Sequence, residues 1–183
     1  FLIVVLARLQ LFTEITITAV LPVLADRTMR SLRLMLRLWG IVFAANMAGT
    51  ASASLMAIYA HIATAEQLAG FYAVARPIME EHWFDLLMRG IPAGFFIAAM
   101  VWMLAAARNG HFWIITMMTY VIALGAFTHV VVGSAEVFLL MFSGQLEPLR
   151  GIFGVLIPAL VGNVLGGTGL FAMLAYGQVK EEL

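Results

Sequence analysis

Cysteine is absent from this sequence, and charged residues are scarce. Without cysteine the chain has no disulfide, no thiolate metal ligand and no cysteine nucleophile. Aspartate, glutamate, lysine and arginine together make up 11% of the residues, whereas about a quarter is usual in soluble domains. The net charge is zero, so the composition gives no sign of a surface that binds nucleic acid.

Apolar residues account for 63% of the 183 positions, well above the proportion of about half in soluble domains. The apolar runs follow one another closely, so we expect one all-α integral membrane domain over residues 1–183. The chain begins with Phe1 inside an apolar run, and no positively charged segment precedes it. This does not resemble a signal peptide, and we expect an N-terminally truncated chain.

Charged clusters between apolar runs predict an alternating topology. We expect full spans at residues 38–65, 90–107 and 151–179, with an amphipathic connector at 66–89. We interpret the basic cluster before the first full span as a surface facing solvent and lipid headgroups. It lies on one helical face and comprises Arg27, Arg30, Arg33 and Arg37. Basic segments remain in the cytoplasm, which also places the C-terminal tail there (Lys180, Glu181, Glu182). Three histidines near span ends are expected at the interface (His61, His82, His111).

Polar residues interrupt two further apolar segments at membrane depth. The first interruption covers residues 8–14. The second contains Thr128, His129 and Glu136, and the apolar arm after it is too short to cross a bilayer alone. We interpret each as two half-helices joined by an irregular turn, which must line a cavity or be buried in protein. We expect Glu14 and Glu136 to open the second arms.

A long helix follows each interruption and carries the same short pattern, Asn46-x-x-Gly49 in one case and Asn163-x-x-Gly166 in the other. The two halves run in opposite senses if each holds an odd number of spans. Inverted repeats with paired discontinuous helices indicate a central transport site. By this symmetry the complete protein has six spans. About four and a half are present here, without the first span and most of the second.

Three motifs resemble the formate/nitrite transporter family. They are Leu11-Phe12-Thr13 in the first break, Phe127-x-His129 in the second, and Gly162-Asn163-x-x-Gly166-Gly167 in the last span. The resemblance covers essentially the whole chain. It implies an aquaporin-like fold, usually a pentamer with one pore per protomer, in a bacterial inner membrane. It also implies that Leu11 and Phe12 help to form a hydrophobic slit, and that His129 is the central pore histidine near Thr13.

The sequence departs from the family pattern at four positions, which places it in a divergent branch. Thr128 replaces the usual glutamate before the histidine, and Gly94 stands where an asparagine is expected. Glu14 replaces a small residue, and Glu136 is an additional carboxylate. Each of these glutamates either caps the positive end of a half-helix or faces the pore and shifts selectivity towards neutral acids.

Structural alternatives stand beside the pore residues. His129 either lines the pore and exchanges protons, or only satisfies backbone groups at the break. Leu11 and Phe12 either close a slit that excludes water, or simply pack. We assign helix packing to the asparagines and glycines of the repeated pattern (Asn46, Gly49, Asn163, Gly166 and Gly167).

We expect a channel-like transporter of a small monovalent anion, or of its neutral weak acid, with proton coupling left open. The alternative is a non-transporting scaffold or assembly subunit on a degenerate transporter fold. The missing glutamate and asparagine favour the scaffold, whereas the retained Leu-Phe-Thr and histidine favour transport. We expect no enzyme, cofactor or metal site, since the sequence shows no catalytic set.

Overall fold

The computed structural model describes residues 1–60 and 62–179, and every regular element within them is helical. His61 and the tail residues Lys180, Glu181 and Glu182 lie outside the described residues. The α-helices follow the order α1 (Leu2–Leu6), α2 (Phe12–Thr18), α3 (Leu21–Asp26), α4 (Met29–Tyr59), α5 (Ala65–Ala75), α6 (Trp83–Ala106), α7 (His111–Leu124), α8 (Val130–Phe142), α9 (Ile157–Val164) and α10 (Met173–Val179).

Within the described residues, three helices are long and apolar enough to cross a membrane, namely α4, α6 and the last helix, Arg150–Gln178. The last helix contains α9 and two stretches of π-helix, Arg150–Leu156 and Leu165–Ala172. The predicted all-α membrane fold is thus confirmed. Both α4 and α6 begin seven or more residues before the predicted spans, because hydrophobicity marks where the bilayer begins and a helix continues past it into the headgroup region.

The predicted connector, residues 66–89, contains most of the short helix α5 and a 3₁₀ turn. Helix α5 begins with a capping box in which the Thr64 hydroxyl accepts the Gln67 N–H and the Gln67 side chain accepts the Thr64 N–H. A 3₁₀ turn, Arg76–Met79, follows it. His82 and His111 stand at the first ends of α6 and α7, and their position at the membrane interface stays a prediction.

The first arms of the two interrupted helices end in the same way. At the end of α1, Arg8 adopts a left-handed conformation with φ of 54°. The Leu9 N–H donates to the Val4 carbonyl at 2.9 Å, and the Arg8 N–H donates to the Val5 carbonyl at 3.1 Å. This pattern is a Schellman motif, which satisfies carbonyl groups that a helix end leaves free.

The end of α7 repeats this arrangement. Ala126, 118 positions after Arg8, has a φ of 49°. The Phe127 N–H donates to the Ile122 carbonyl at 3.0 Å, and the Ala126 N–H donates to the Ala123 carbonyl at 3.1 Å. The local structure of the two breaks therefore repeats at constant spacing. The opposite orientation of the two halves stays a prediction.

The second arms begin earlier than the sequence suggested. Helix α2 starts at Phe12 and α8 at Val130. Glu14 does lie in the first turn of α2, but Glu136 is the seventh residue of α8, so the expectation that it opens that arm was wrong. Ser134 does not break the helix, because its hydroxyl donates to the Val131 carbonyl one turn earlier at 2.7 Å.

An asparagine from a long helix holds each break in place. The Asn46 side-chain oxygen accepts the N–H of Phe12 at 2.8 Å, and its nitrogen donates to the Gln10 carbonyl at 3.1 Å. Because the first helical turn has N–H groups without an intrahelical partner, the Asn46 amide satisfies one of them together with a carbonyl of the turn.

Asn163 makes the corresponding bonds at the second break and is fully buried. Its oxygen accepts the N–H of Val130 at 2.9 Å, and its nitrogen donates to the carbonyls of Thr128 at 2.8 Å and Gly90 at 2.9 Å. The sequence predicts a helix-packing role for both asparagines. In the structure their amides also satisfy backbone groups that hydrocarbon would leave unpaired.

Glycines bring α6 and the last helix into backbone contact. A Cβ at Gly166 would overlap the Ile91 carbonyl oxygen, and a Cβ at Gly167 would overlap the Thr16 hydroxyl. Close approach through small residues is typical of membrane helices. Gly49 differs, because the space around its Cβ position is open within the described part of the chain, so no contact there supports its predicted packing role.

We predict that Asn163→Leu destabilises the full-length protein more than Asn46→Leu. The change at Asn163 leaves the Val130 N–H and the Thr128 and Gly90 carbonyls without this partner, and an unsatisfied buried group costs about 1–3 kcal/mol. We therefore expect the free energy of unfolding to fall by about 2 kcal/mol or more. Asn46→Leu is the matched control, since its bond to Gln10 is exposed.

Unfolding in mild detergent micelles, followed by circular dichroism during titration with SDS, measures both losses. Equal stability of the two variants would contradict the greater structural weight given to Asn163.

Candidate functional site

The two interrupted helices meet at Thr13 and His129. The Thr13 hydroxyl oxygen lies 2.8 Å from the His129 Nε2 atom, and the two residues are 0% and 4% exposed. Thr13 is in the first turn of α2, and His129 is the residue immediately before α8. The positive ends of two helices therefore converge on one buried polar contact.

The hydrogen bonds of His129 define which ring nitrogen carries the proton. The Nδ1 atom accepts the N–H of Val132 at 3.2 Å and so caps α8. In the neutral ring the hydrogen then belongs to Nε2, which donates to the Thr13 hydroxyl. Protonation of Nδ1 would place two donors against each other and cost the cap. The available hydrogen-bond donor of this histidine is therefore the Nε2–H group.

A cavity of about 580 Å³ reaches His129 from the side on which α6 begins. Its walls are largely apolar, and its polar lining includes Thr128, His129 and Glu136. Glu81 and Arg89 also line it and form an ion pair at 2.6 Å. Since 45% of the Arg89 side chain is exposed, we place this pair towards the mouth of the cavity.

The two unusual glutamates occupy different environments. Glu136 is half-buried and lines the cavity. Glu14 does not line it, and its Oε1 atom is buried without a hydrogen-bond partner among the described residues. The two breaks are 118 residues apart, so the position equivalent to Glu14 in the second break is Val132 and not Glu136. The sequence suggests that the two carboxylates are equivalent, but the structure places them in different positions.

Leu11 and Phe12 are both buried beside Thr13 and belong to one apolar cluster with Val130 and Val131 at the start of α8. Leu11 is not among the residues that line the cavity containing His129. The Phe12 ring makes edge contacts with Trp39 at 5.8 Å and Phe43 at 5.2 Å, measured between ring centroids. Phe12 thus lines a groove beside α4 and not the cavity that contains His129.

The two departures at family positions also differ in kind. Thr128 lines the cavity, and its N–H donates to the Arg89 carbonyl at 3.2 Å. Gly94 lies in the crossing of α6 with the last helix, where a Cβ would overlap the Asn163 carbonyl oxygen. A side chain at Gly94 is therefore excluded by the backbone of the neighbouring helix. Of these two changes, only the one at Thr128 alters the cavity surface.

Several positioning contacts escaped the sequence analysis. The Trp39 indole N–H donates to the Ile15 carbonyl at 3.2 Å. The Thr50 and Ser134 hydroxyls share a hydrogen bond at 2.8 Å. Such residues look like ordinary membrane-helix residues in the sequence, and only the isolated hydroxyls in apolar runs could have indicated them. Across residues 1–60 and 62–179, no group of three metal-ligating side chains is found.

Comparison with known proteins reveals relatives of this chain. The model of the family described as formate/nitrite transporter matches residues 1–177. Inner membrane protein YfdC of Escherichia coli (strain K12) is 40% identical over 183 residues, which is 100% of this chain and 59% of that protein. The chain thus spans about three-fifths of the length of this relative. The match confirms the resemblance carried by the three motifs. This chain belongs to the formate/nitrite transporter family.

Proposed function

We propose that the complete protein is a channel-like transporter of a small monovalent anion, or of its neutral weak acid, across a bacterial inner membrane. The observation that carries this proposal is the cavity that ends at His129, where the two helix breaks meet. The name of the Escherichia coli relative supports an inner-membrane location. The arginines at the start of α4 favour a cytoplasmic position for that end and for the C-terminus.

In this proposal Leu11 forms the apolar constriction next to Thr13, and Phe12 supports it from the α4 side. An apolar constriction excludes water, so an ion loses its hydration there. The Nε2–H of His129 offers a replacement hydrogen bond, and the two helix N-termini add a partial positive charge. A small acid or anion would exchange with the Thr13 hydroxyl as the partner of His129.

Glu136 sets the charge preference in this proposal. Glu136 lines the cavity that reaches His129, while the charge of Arg89 is balanced by Glu81. A carboxylate in a mostly apolar cavity repels anions strongly, because the effective dielectric constant is low. The neutral acid is therefore the favoured form of the solute. A site without this carboxylate would leave the positive helix ends open for an anion.

The function is tested by a flux screen with proteoliposomes that contain the full-length protein. Formate, nitrite and acetate are each offered at two pH values, and empty liposomes provide the background. We expect saturable uptake that follows the concentration of the neutral acid. Absence of flux for every small acid, in protein that remains folded, would favour the scaffold instead.

We predict that His129→Asn and His129→Phe have different effects. Asparagine is a good N-cap residue, so it keeps α8 in place, but it lacks an exchangeable ring proton. We expect His129→Asn to remain folded and lose the pH dependence of flux, and His129→Phe to block flux. If both variants transport with the unchanged pH profile, the role of His129 is structural.

We predict that Glu136→Gln raises anion permeability and that Glu14→Gln does not. Loss of roughly 1.4 kcal/mol of repulsion corresponds to about a tenfold rise. Glu14→Gln is the matched control, since it removes the same charge outside the cavity. We expect it only to lower stability, by about 0.3–1 kcal/mol, through the lost interaction with the α2 dipole. Reversal potentials measure the anion permeability of both variants. Equal changes in the two variants would refute the role of Glu136.

We further propose that the protein is a homo-oligomer, by the family resemblance a pentamer. Small residues of α4, among them Ala45 and Gly49, are exposed in the described chain, and such surfaces favour contact between helices. Light scattering of the full-length protein in several mild detergents should give about five times the protomer mass. A monomer that still transports would contradict this assembly.

A further inference from the structure

An apolar groove of about 390 Å³ lies between α4 and the last helix, on the outer surface of the described chain. Trp39, Gly40 and Phe43 line it from α4, Leu160 and Leu165 line it from the last helix, and Phe12 also contributes. All eight residues of its lining are glycine or apolar. The groove is distinct from the cavity at His129, because the two share no lining residue.

Gly40 provides the room in this groove. No heavy atom lies within 4 Å of the position that a Cβ would occupy there. The Trp39 indole is fixed in the wall by its hydrogen bond to the Ile15 carbonyl. The surface therefore has a preformed depression of a size and polarity that suit a hydrocarbon chain.

A basic stripe adjoins the groove at the end where α4 begins. Arg33 precedes Gly40 by seven residues, which places it on nearly the same face of the helix and about 10 Å away along the axis. Arg37 lies on the same side, one turn closer. Both are exposed, and neither forms an ion pair within residues 1–60 and 62–179. The nearby Asp26 accepts a hydrogen bond from the Ser31 hydroxyl at 3.1 Å.

We propose that this surface binds an anionic phospholipid, with its phosphate on Arg33 and Arg37 and one acyl chain in the groove over Gly40. Two independent features support this occupant. The arginines supply the charge complement of a lipid phosphate at the membrane surface, and the groove continues from them into the apolar depth of the bilayer. Because the Phe12 ring forms part of the groove wall, the bound chain would contact the residue next to Thr13.

The test uses the full-length protein in vesicles and the quenching of Trp39 fluorescence by lipids with brominated acyl chains. The Trp39 signal is the difference between the protein and its Trp39→Phe variant. Brominated phosphatidylglycerol is compared with brominated phosphatidylcholine of the same chain length. We expect half-maximal quenching at about 25-fold lower mole fraction of phosphatidylglycerol, about fivefold for each arginine.

Matched variants distinguish the site from general attraction. In the double variant Arg33→Gln with Arg37→Gln, the two lipids should reach half-maximal quenching at nearly equal mole fractions. Arg108→Gln removes an exposed arginine from the loop between α6 and α7 and should leave the preference unchanged. Gly40→Leu fills the groove and should reduce quenching by both lipids, which tests the acyl-chain position without a change of charge.

Three results would overturn the proposal. The two lipids could quench the native protein equally, or Arg108→Gln could lower the preference as much as the arginine pair does. Absence of quenching by either lipid would show that no acyl chain occupies the groove. None of these measurements depends on which solute the protein carries.

Discussion

The structure depends on one constraint, the need to satisfy backbone hydrogen-bonding groups where two helices are interrupted at membrane depth. Hydrocarbon offers them no partner, and each unpaired group costs several kcal/mol. The chain meets this demand twice with the same devices, a Schellman motif that closes the first arm and an asparagine amide that holds the turn and the start of the second. Asn163 adds a bond to the Gly90 carbonyl and so ties the second break to α6.

These bonds determine where the polar chemistry can lie. With Asn46 and Asn163 holding the turns, the first turns of α2 and α8 are directed towards each other, and the Thr13 hydroxyl meets the His129 ring. The ring then serves two purposes, since Nδ1 caps α8 and Nε2 carries the available proton. The structural and the pore-lining interpretations of His129 are therefore compatible, because different nitrogens perform the two tasks.

The departures from the family pattern gain different meanings once they are placed in the fold. Gly94 belongs to the helix crossing, where the Asn163 backbone leaves no room for a side chain. Thr128 and Glu136 both line the cavity, so together they exchange a carboxylate next to the histidine for one on the wall of α8. The cavity therefore has a carboxyl group on the wall formed by α8 and a hydroxyl group next to the histidine.

The sequence by itself determined the membrane class, the two interruptions and the family, because hydrophobic runs and short motifs are local properties of the chain. It also identified His129, Thr13 and the two asparagines as residues of interest. The tertiary structure decided their roles. It showed that Glu136 lies within α8 rather than at its start, since a hydroxyl such as that of Ser134 can bond back to its own helix. It also separated Leu11 and Phe12 from the cavity lining, and Glu14 from Glu136. Such distinctions depend on which face of a helix meets which neighbour, and contacts between residues more than 100 positions apart cannot be read from local pattern.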